Sequence, residues 1–142
     1  MRFTKLALTV SLLVLPNTSR ATSPYAIDLK VTNSQSYNTI DLRITYSAAN
    51  GSFAGSGSAV SCTTNPSLNA SASYNDQESI SRLNTATMRD GAMAGPVVIF
   101  TCIFDSNGGP PSASDFVISV YDWSSSSTTT PPTVQISRIQ AP

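Results

Sequence analysis

A period-two alternation of apolar and polar residues constrains this chain more than any other feature. In "YAIDLKVTN", Ile27, Leu29 and Val31 fall on one face and Asp28 and Lys30 on the other. In "TIDLRITYS", Ile40, Leu42, Ile44 and Tyr46 alternate with Asp41, Arg43 and Thr45. Side chains of an extended strand point alternately to its two faces, so both segments predict strands with one dry and one wet face. "DFVISVYDW" repeats the pattern, with Phe116, Ile118 and Val120 against Val117 and Tyr121. "GPVVIFTCIFDSNGGPP" differs. Val97, Ile99 and Ile103 alternate there with Val98, Phe100, Cys102 and Phe104, so both faces are apolar. That predicts a central strand packed on both sides and ended by the turn "DSNGGPP".

The segments between are punctuated by turn residues. Asn50-Gly51, Asn65-Pro66 and Asp90-Gly91 are expected turns. A short strand is expected around Ser58 to Cys62, with further strands in "SLNASASY" and "ESISRLNTATM". The last of these is dense in Ser, Thr and Asn and lacks a 3.6-residue apolar stripe, which favours strand over helix. "SSSSTTTPP" reads as an exposed loop tip, and "TVQISRI" as a final strand that returns to the body. About eight or nine short strands at this spacing describe an all-β antiparallel sandwich.

The N-terminus reads as an export signal. Arg2 and Lys5 precede an apolar run from Leu6 to Leu15, and Ser19-x-Ala21 supplies a small-residue cleavage site. Residues 1–21 are therefore an expected signal peptide and 22–142 a single domain. The apolar run is too short for a bilayer, which needs about 20 residues, so no stable membrane insertion is expected after cleavage. Cleavage would leave five basic residues (Lys30, Arg43, Arg82, Arg89, Arg138) against eight acidic ones, a net charge near −3. Without a basic stripe, nucleic-acid binding has no electrostatic driving force. Cys62 and Cys102 are the only cysteines. In an exported chain such a pair is most simply a disulfide, the alternatives being free buried thiols or an intermolecular link.

The chain has no histidine. That excludes Ser-His-Asp and Cys-His nucleophilic catalysis and the usual zinc ligand sets. "GSFAGSGSA" lacks the Lys and following Ser/Thr of a phosphate loop. Paired carboxylates, Asp76 with Glu78 or Asp105 with Asp115, are the only acid–base candidates, and they read as a solvated edge. Asp105 and Asn107 sit at alternate positions, as calcium ligands do, but Pro110 and Phe116 stand where an EF-hand needs Gly and Glu. No cofactor is expected. Asn50 and Asn69 begin glycosylation sequons. Tyr25, Tyr37, Tyr74, Tyr121 and Trp123 are candidate stacking platforms for sugar rings, and Tyr74, Tyr121 and Trp123 are the expected ligand-binding residues.

Three longer segments carry a resemblance to a known family. "IDLRITYSAANGSFAGSGSAVSC" resembles a cohesin segment in which a strand runs through a loop into a small glycine-containing strand. "ISRLNTATMRDGAMAGPVVIFTCIFD" resembles a later one, where a glycine turn leads into an apolar strand with an inward Phe. "FVISVYDWSSSSTTTPPTVQISRI" resembles the closing hairpin. Over most of residues 25 to 139 the chain is thus similar to the cohesin and family-2 carbohydrate-binding superfamily. The resemblance implies a jelly-roll sandwich and a non-enzymatic recognition module, which the expected signal peptide makes secreted or periplasmic. Its partner would be a protein or a polysaccharide, bound through a sheet face or loop tips. The alternative is a fimbrial or adhesin-type subunit of a surface assembly, polymerising by strand donation.

Overall fold

The structure, a computed structural model, describes residues 21–142. The expected signal peptide, apart from Ala21, lies outside the described residues. Nine strands follow in order: β1 (Ser23–Val31), β2 (Ser36–Tyr46), β3 (Gly51–Phe53), β4 (Cys62–Thr64), β5 (Ser71–Gln77), β6 (Arg82–Ala94), β7 (Val97–Ser106), β8 (Phe116–Ser124) and β9 (Val134–Gln140). Every pairing between them is antiparallel. Sheet I has the order β3-β7-β1-β9, with β4 also paired to β7, and sheet II the order β5-β6-β2-β8. Only the β3–β4 and β5–β6 connections stay within a sheet; all others cross, which winds the chain as a jelly-roll sandwich.

The alternation in β1 and β2 does what it predicted. Ile27, Leu29, Val31, Ile40, Leu42, Ile44 and Tyr46 are all buried between the sheets. Toward one end, Phe104 packs edge-on against Phe53, Tyr46 and Phe116, at centroid distances of 5.3, 5.7 and 5.0 Å. Cys62 and Cys102 are direct cross-strand partners in β4 and β7 and are joined as a disulfide. Gly51 opens β3 at φ +143°, where a Cβ would run into the Asp105 carbonyl. The turn before it is closed by Asn50 N–H donating to the Ser47 carbonyl.

Several expectations need correcting. From Phe100 onward β7 has one dry face, not two: Phe100, Cys102 and Phe104 are fully buried, while Thr101, Ile103 and Asp105 on the other face are partly exposed. Ile99, expected on that second face, is fully buried at the register shift opposite Leu29 and Lys30. A two-layer sandwich leaves the outer side of each sheet to solvent, even for a strand central within its sheet. Conversely, Asp28, on the wet side of β1, is only 5 % exposed, because Thr101 and Arg138 close over it from β7 and β9. Asp90-Gly91 does not end a strand. β6 runs on to Ala94 with a bulge, since Tyr37 pairs with Met93 and Thr39 with Met88, so that Arg89–Ala92 face Asn38 alone. Gly91, at φ +97°, provides the bend, and Asn38 Nδ2 donates to its carbonyl. The strand expected around Ser58 to Cys62 begins at Cys62 instead, and β3 was not foreseen. Of the Asp76–Glu78 pair read as a solvated edge, only Glu78 is exposed, in the 3-10 turn Glu78–Ile80, while Asp76 is buried.

Asp76 is 3 % exposed, and Tyr46 Oη lies 3.0 Å from each of its carboxylate oxygens. Burial raises its pKa above the ordinary value; the Tyr46 hydrogen bond opposes this and the nearby Glu78 charge adds to it. A pKa raised by folding means that the native state holds the proton more tightly than the unfolded chain. Its contribution to stability is then fullest below the unfolded value and is lost as pH rises through the folded one. Asp76→Asn is therefore expected to gain stability relative to wild type on going from pH 3 to pH 7. Urea denaturation at the two pH values measures this, and an identical difference at both would show that Asp76 does not titrate as described.

Candidate functional site: the outer face of sheet II

The wet faces of β5, β6, β2 and β8 form one flat surface whose rows are set by strand register. One row places Ser73, Ala86, Asp41 and Asp122 side by side across the sheet. The next holds Asn75, Asn84, Arg43 and Ser119. Between Val120 and Asp122 the register skips Tyr121, so this residue is the extra one of a bulge. Bulges re-aim side chains, and here Tyr121 stays 63 % exposed with the Arg43 guanidinium carbon 3.5 Å from its ring centre. A cation over an aromatic face is held electrostatically, which fixes the arginine beside the ring.

Three of the four large apolar residues exposed among the described residues stand on this face. Met88, Val117 and Tyr121 occupy this face, and Ile80 lies in the turn just before β6. Small side chains, Ser71, Ser73 and Ala86, keep the ground beside Met88 low. Two shallow depressions of about 290 and 440 Å³ meet at Asp41.

Asp41 and Asp122 are direct cross-strand partners. Like charges in that position repel. Burial, and after it the Asp122 charge, raises the Asp41 pKa. Arg43 is engaged with Tyr121, and the one salt bridge among the described residues joins Arg138 to Asp28 in the other sheet. The carboxylate pair can therefore accept a cation from outside. The open, flat setting is suited to recognition of a surface.

The other expected ligand residues lie elsewhere. Trp123 is half-buried and packs edge-on against Tyr37, with centroids 5.8 Å apart. Tyr74 faces inward, 5.4 Å from the Phe100 ring, with its hydroxyl 2.8 Å from Thr64 Oγ1. Tyr37 is fully buried and Tyr25 half-buried. Of the five aromatics, Tyr121 alone is on the open face. The loop carrying the Ser/Thr run has an exposed tip but a docked base, where Ser125 Oγ donates to the Ser36 carbonyl and Tyr37 Oη to that of Thr130.

Asp105 lies in β7, partly exposed and paired with Pro24 and Ser52. Asn107 turns its amide nitrogen toward the carbonyls of Ala48 and Ala49, at 3.3 and 3.4 Å. Asp115 accepts from Asn50 Nδ2 and from Ser112 N–H, so it serves as a cap. No group of three metal-binding side chains forms among the described residues. Asn50 and Asn69 are both exposed. Sequence reading missed the Asp41–Asp122 pair. Each is an outward position of an alternating strand, but the residues are distant in the chain, and only the β2–β8 register makes them neighbours.

These features define the class: an antiparallel, disulfide-linked β-sandwich of two sheets. Comparison with protein-family models, with curated proteins and with solved structures matches nothing. No helix among the described residues is long and apolar enough to cross a membrane.

Proposed function

We propose that the protein is a secreted, non-catalytic recognition module, cohesin-like in plan, that docks a protein partner on the outer face of sheet II. The observation that carries this is the placement of exposed Met88 and Tyr121 on one face beside the Asp41–Asp122 pair, which no salt bridge among the described residues neutralises, with Val117 further along β8. Exposed Tyr, Met and Arg at the centre of a flat surface form the chemistry of a protein interface. The partner carries a Lys or Arg that seats against the two carboxylates, flanked by apolar residues that cover Met88 and Tyr121. The absence of histidine supports a non-catalytic role. The pairing of β9 with β1 within one chain supports a self-contained module over a subunit that awaits a donated strand.

The test places a photo-reactive residue at Met88 of the oxidised protein and exposes it to the exported proteins of the cell that makes it. A discrete adduct is expected. Its yield should fall by more than roughly tenfold in Asp41→Asn/Asp122→Asn, the scale of truncating an interfacial charge pair. Gln135→Ala, on the exposed side of β9, should leave it unchanged. Binding of a glycan at this face without any protein adduct, or concentration-dependent polymerisation of the protein alone, would overturn the proposal.

A further inference from the structure

The outer face of sheet I carries a second recognition feature, built on the residue that the alternation misplaced. Asp28 is 5 % exposed and both its oxygens are occupied: Thr101 Oγ1 donates to Oδ1 at 2.6 Å, and Arg138 Nε to Oδ2 at 2.7 Å. A carboxylate–arginine pair commonly engages two guanidinium nitrogens, the fork matching the carboxylate. Here the threonine takes one oxygen and Nε the other. The two terminal Nη groups of Arg138 therefore make no hydrogen bond among the described residues, and the side chain is 53 % exposed. A buried aspartate thus holds an arginine in place while leaving its fork open.

Arg138 lines a cleft of about 440 Å³ together with Asp28. Thr101 and Ile103 of β7, with Val98, line it from the sheet, while Ser61, Thr63 and Pro66 line it from β4 and its flanks. Register places Thr63, Thr101, Asp28 and Arg138 in one row across four strands. The Cys62–Cys102 disulfide staples β4 to β7, so the wall opposite Arg138 is fixed before any ligand arrives. Lys30, paired with Val98, adds a second positive charge at the margin. The cleft thus offers a bidentate anion receptor, hydroxyl groups at Ser61 and Thr63, and an apolar patch at Val98, Ile103 and Pro66.

We infer that this cleft binds the carboxylate of a uronate residue in an acidic saccharide. The guanidinium fork receives the carboxylate, the Ser61 and Thr63 hydroxyls meet ring hydroxyls, and the apolar patch meets the C–H face of the sugar. An isolated carboxylate needs the fork alone; a uronate uses all three. This site lies on the opposite sheet from the proposed protein face and stands independently of it.

The test is calorimetric titration of the oxidised protein with trigalacturonate, galactotriose, and a short peptide with a free C-terminal carboxylate. Trigalacturonate is expected to bind, galactotriose not. Arg138→Gln should weaken binding by roughly 10–100-fold, the value of a charge-assisted hydrogen-bonded pair. Arg138→Lys should recover only part of this, because an ammonium lacks the planar fork. Thr63→Val, which leaves the Asp28 pair intact, should weaken trigalacturonate binding alone, and Thr129→Ala in the exposed loop tip should change nothing. Equal binding of the two trisaccharides, unchanged affinity in folded Arg138→Gln, or preference for the peptide would each overturn the assignment.

Discussion

Replacing Phe104 by alanine is expected to cost about 3–5 kcal/mol of folding stability, the usual range for deleting a buried aromatic ring. Phe104 is fully buried, and its ring is the shared neighbour of Phe53, Tyr46 and Phe116. It also joins the two layers, since Phe53 and Phe104 belong to sheet I and Tyr46 and Phe116 to sheet II. Truncation removes contacts to all three rings at once, and rings held from both sheets have little freedom to collapse into the void. For a domain of this size the loss corresponds to a fall in melting temperature of roughly 10–20 °C. Phe104→Leu, which refills most of the volume, should lose clearly less. Urea unfolding of the three proteins measures both effects. A loss below about 1 kcal/mol on Phe104→Ala would mean that the ring cluster does not couple the sheets.

Removing the disulfide should cost about 4 kcal/mol. The cysteines are 40 residues apart, and the loop they close includes β5 and β6. In the chain-entropy model such a loop adds freedom to the unfolded chain that folding must then overcome. The double variant Cys62→Ala/Cys102→Ala is the appropriate form, because a serine at the fully buried position 102 would add a hydroxyl needing a partner. The local effect should be largest at β4, whose three residues pair only with β7. Amide exchange should therefore accelerate first around Cys62–Thr64, and trigalacturonate affinity should fall with it as the cleft wall loosens. Intact mass under non-reducing conditions gives the prior check: the native protein should be two hydrogens lighter than its reduced form. Ready alkylation of native Cys102 would contradict the bridge.

The two sheet faces divide the surface chemistry between them. The outer face of sheet II presents apolar residues and unpaired carboxylates; that of sheet I presents a held arginine beside hydroxyls. The interior polar groups follow a different logic. Tyr46 donates to Asp76 on the inner face of sheet II, whereas the hydroxyls of Thr85 and Thr87 are buried with no hydrogen-bond partner among the described residues.

The inward face of β2 and most of that of β1 were legible in the amino-acid sequence, because hydrophobic burial acts residue by residue and the pleat imposes a period of two. So was the pairing of the cysteines, since two thiols in an expected exported chain leave few alternatives. What the tertiary structure alone decided was the pairing of faces. Asp28 looked wet until β9 laid Arg138 over it. Tyr121 and Trp123 looked alike until a bulge sent one outward to Arg43 and left the other against Tyr37. Asp41 and Asp122 became neighbours only through the β2–β8 register. Alternation along a strand reports which way a side chain points; what it meets there depends on long-range pairing, which a local pattern does not encode.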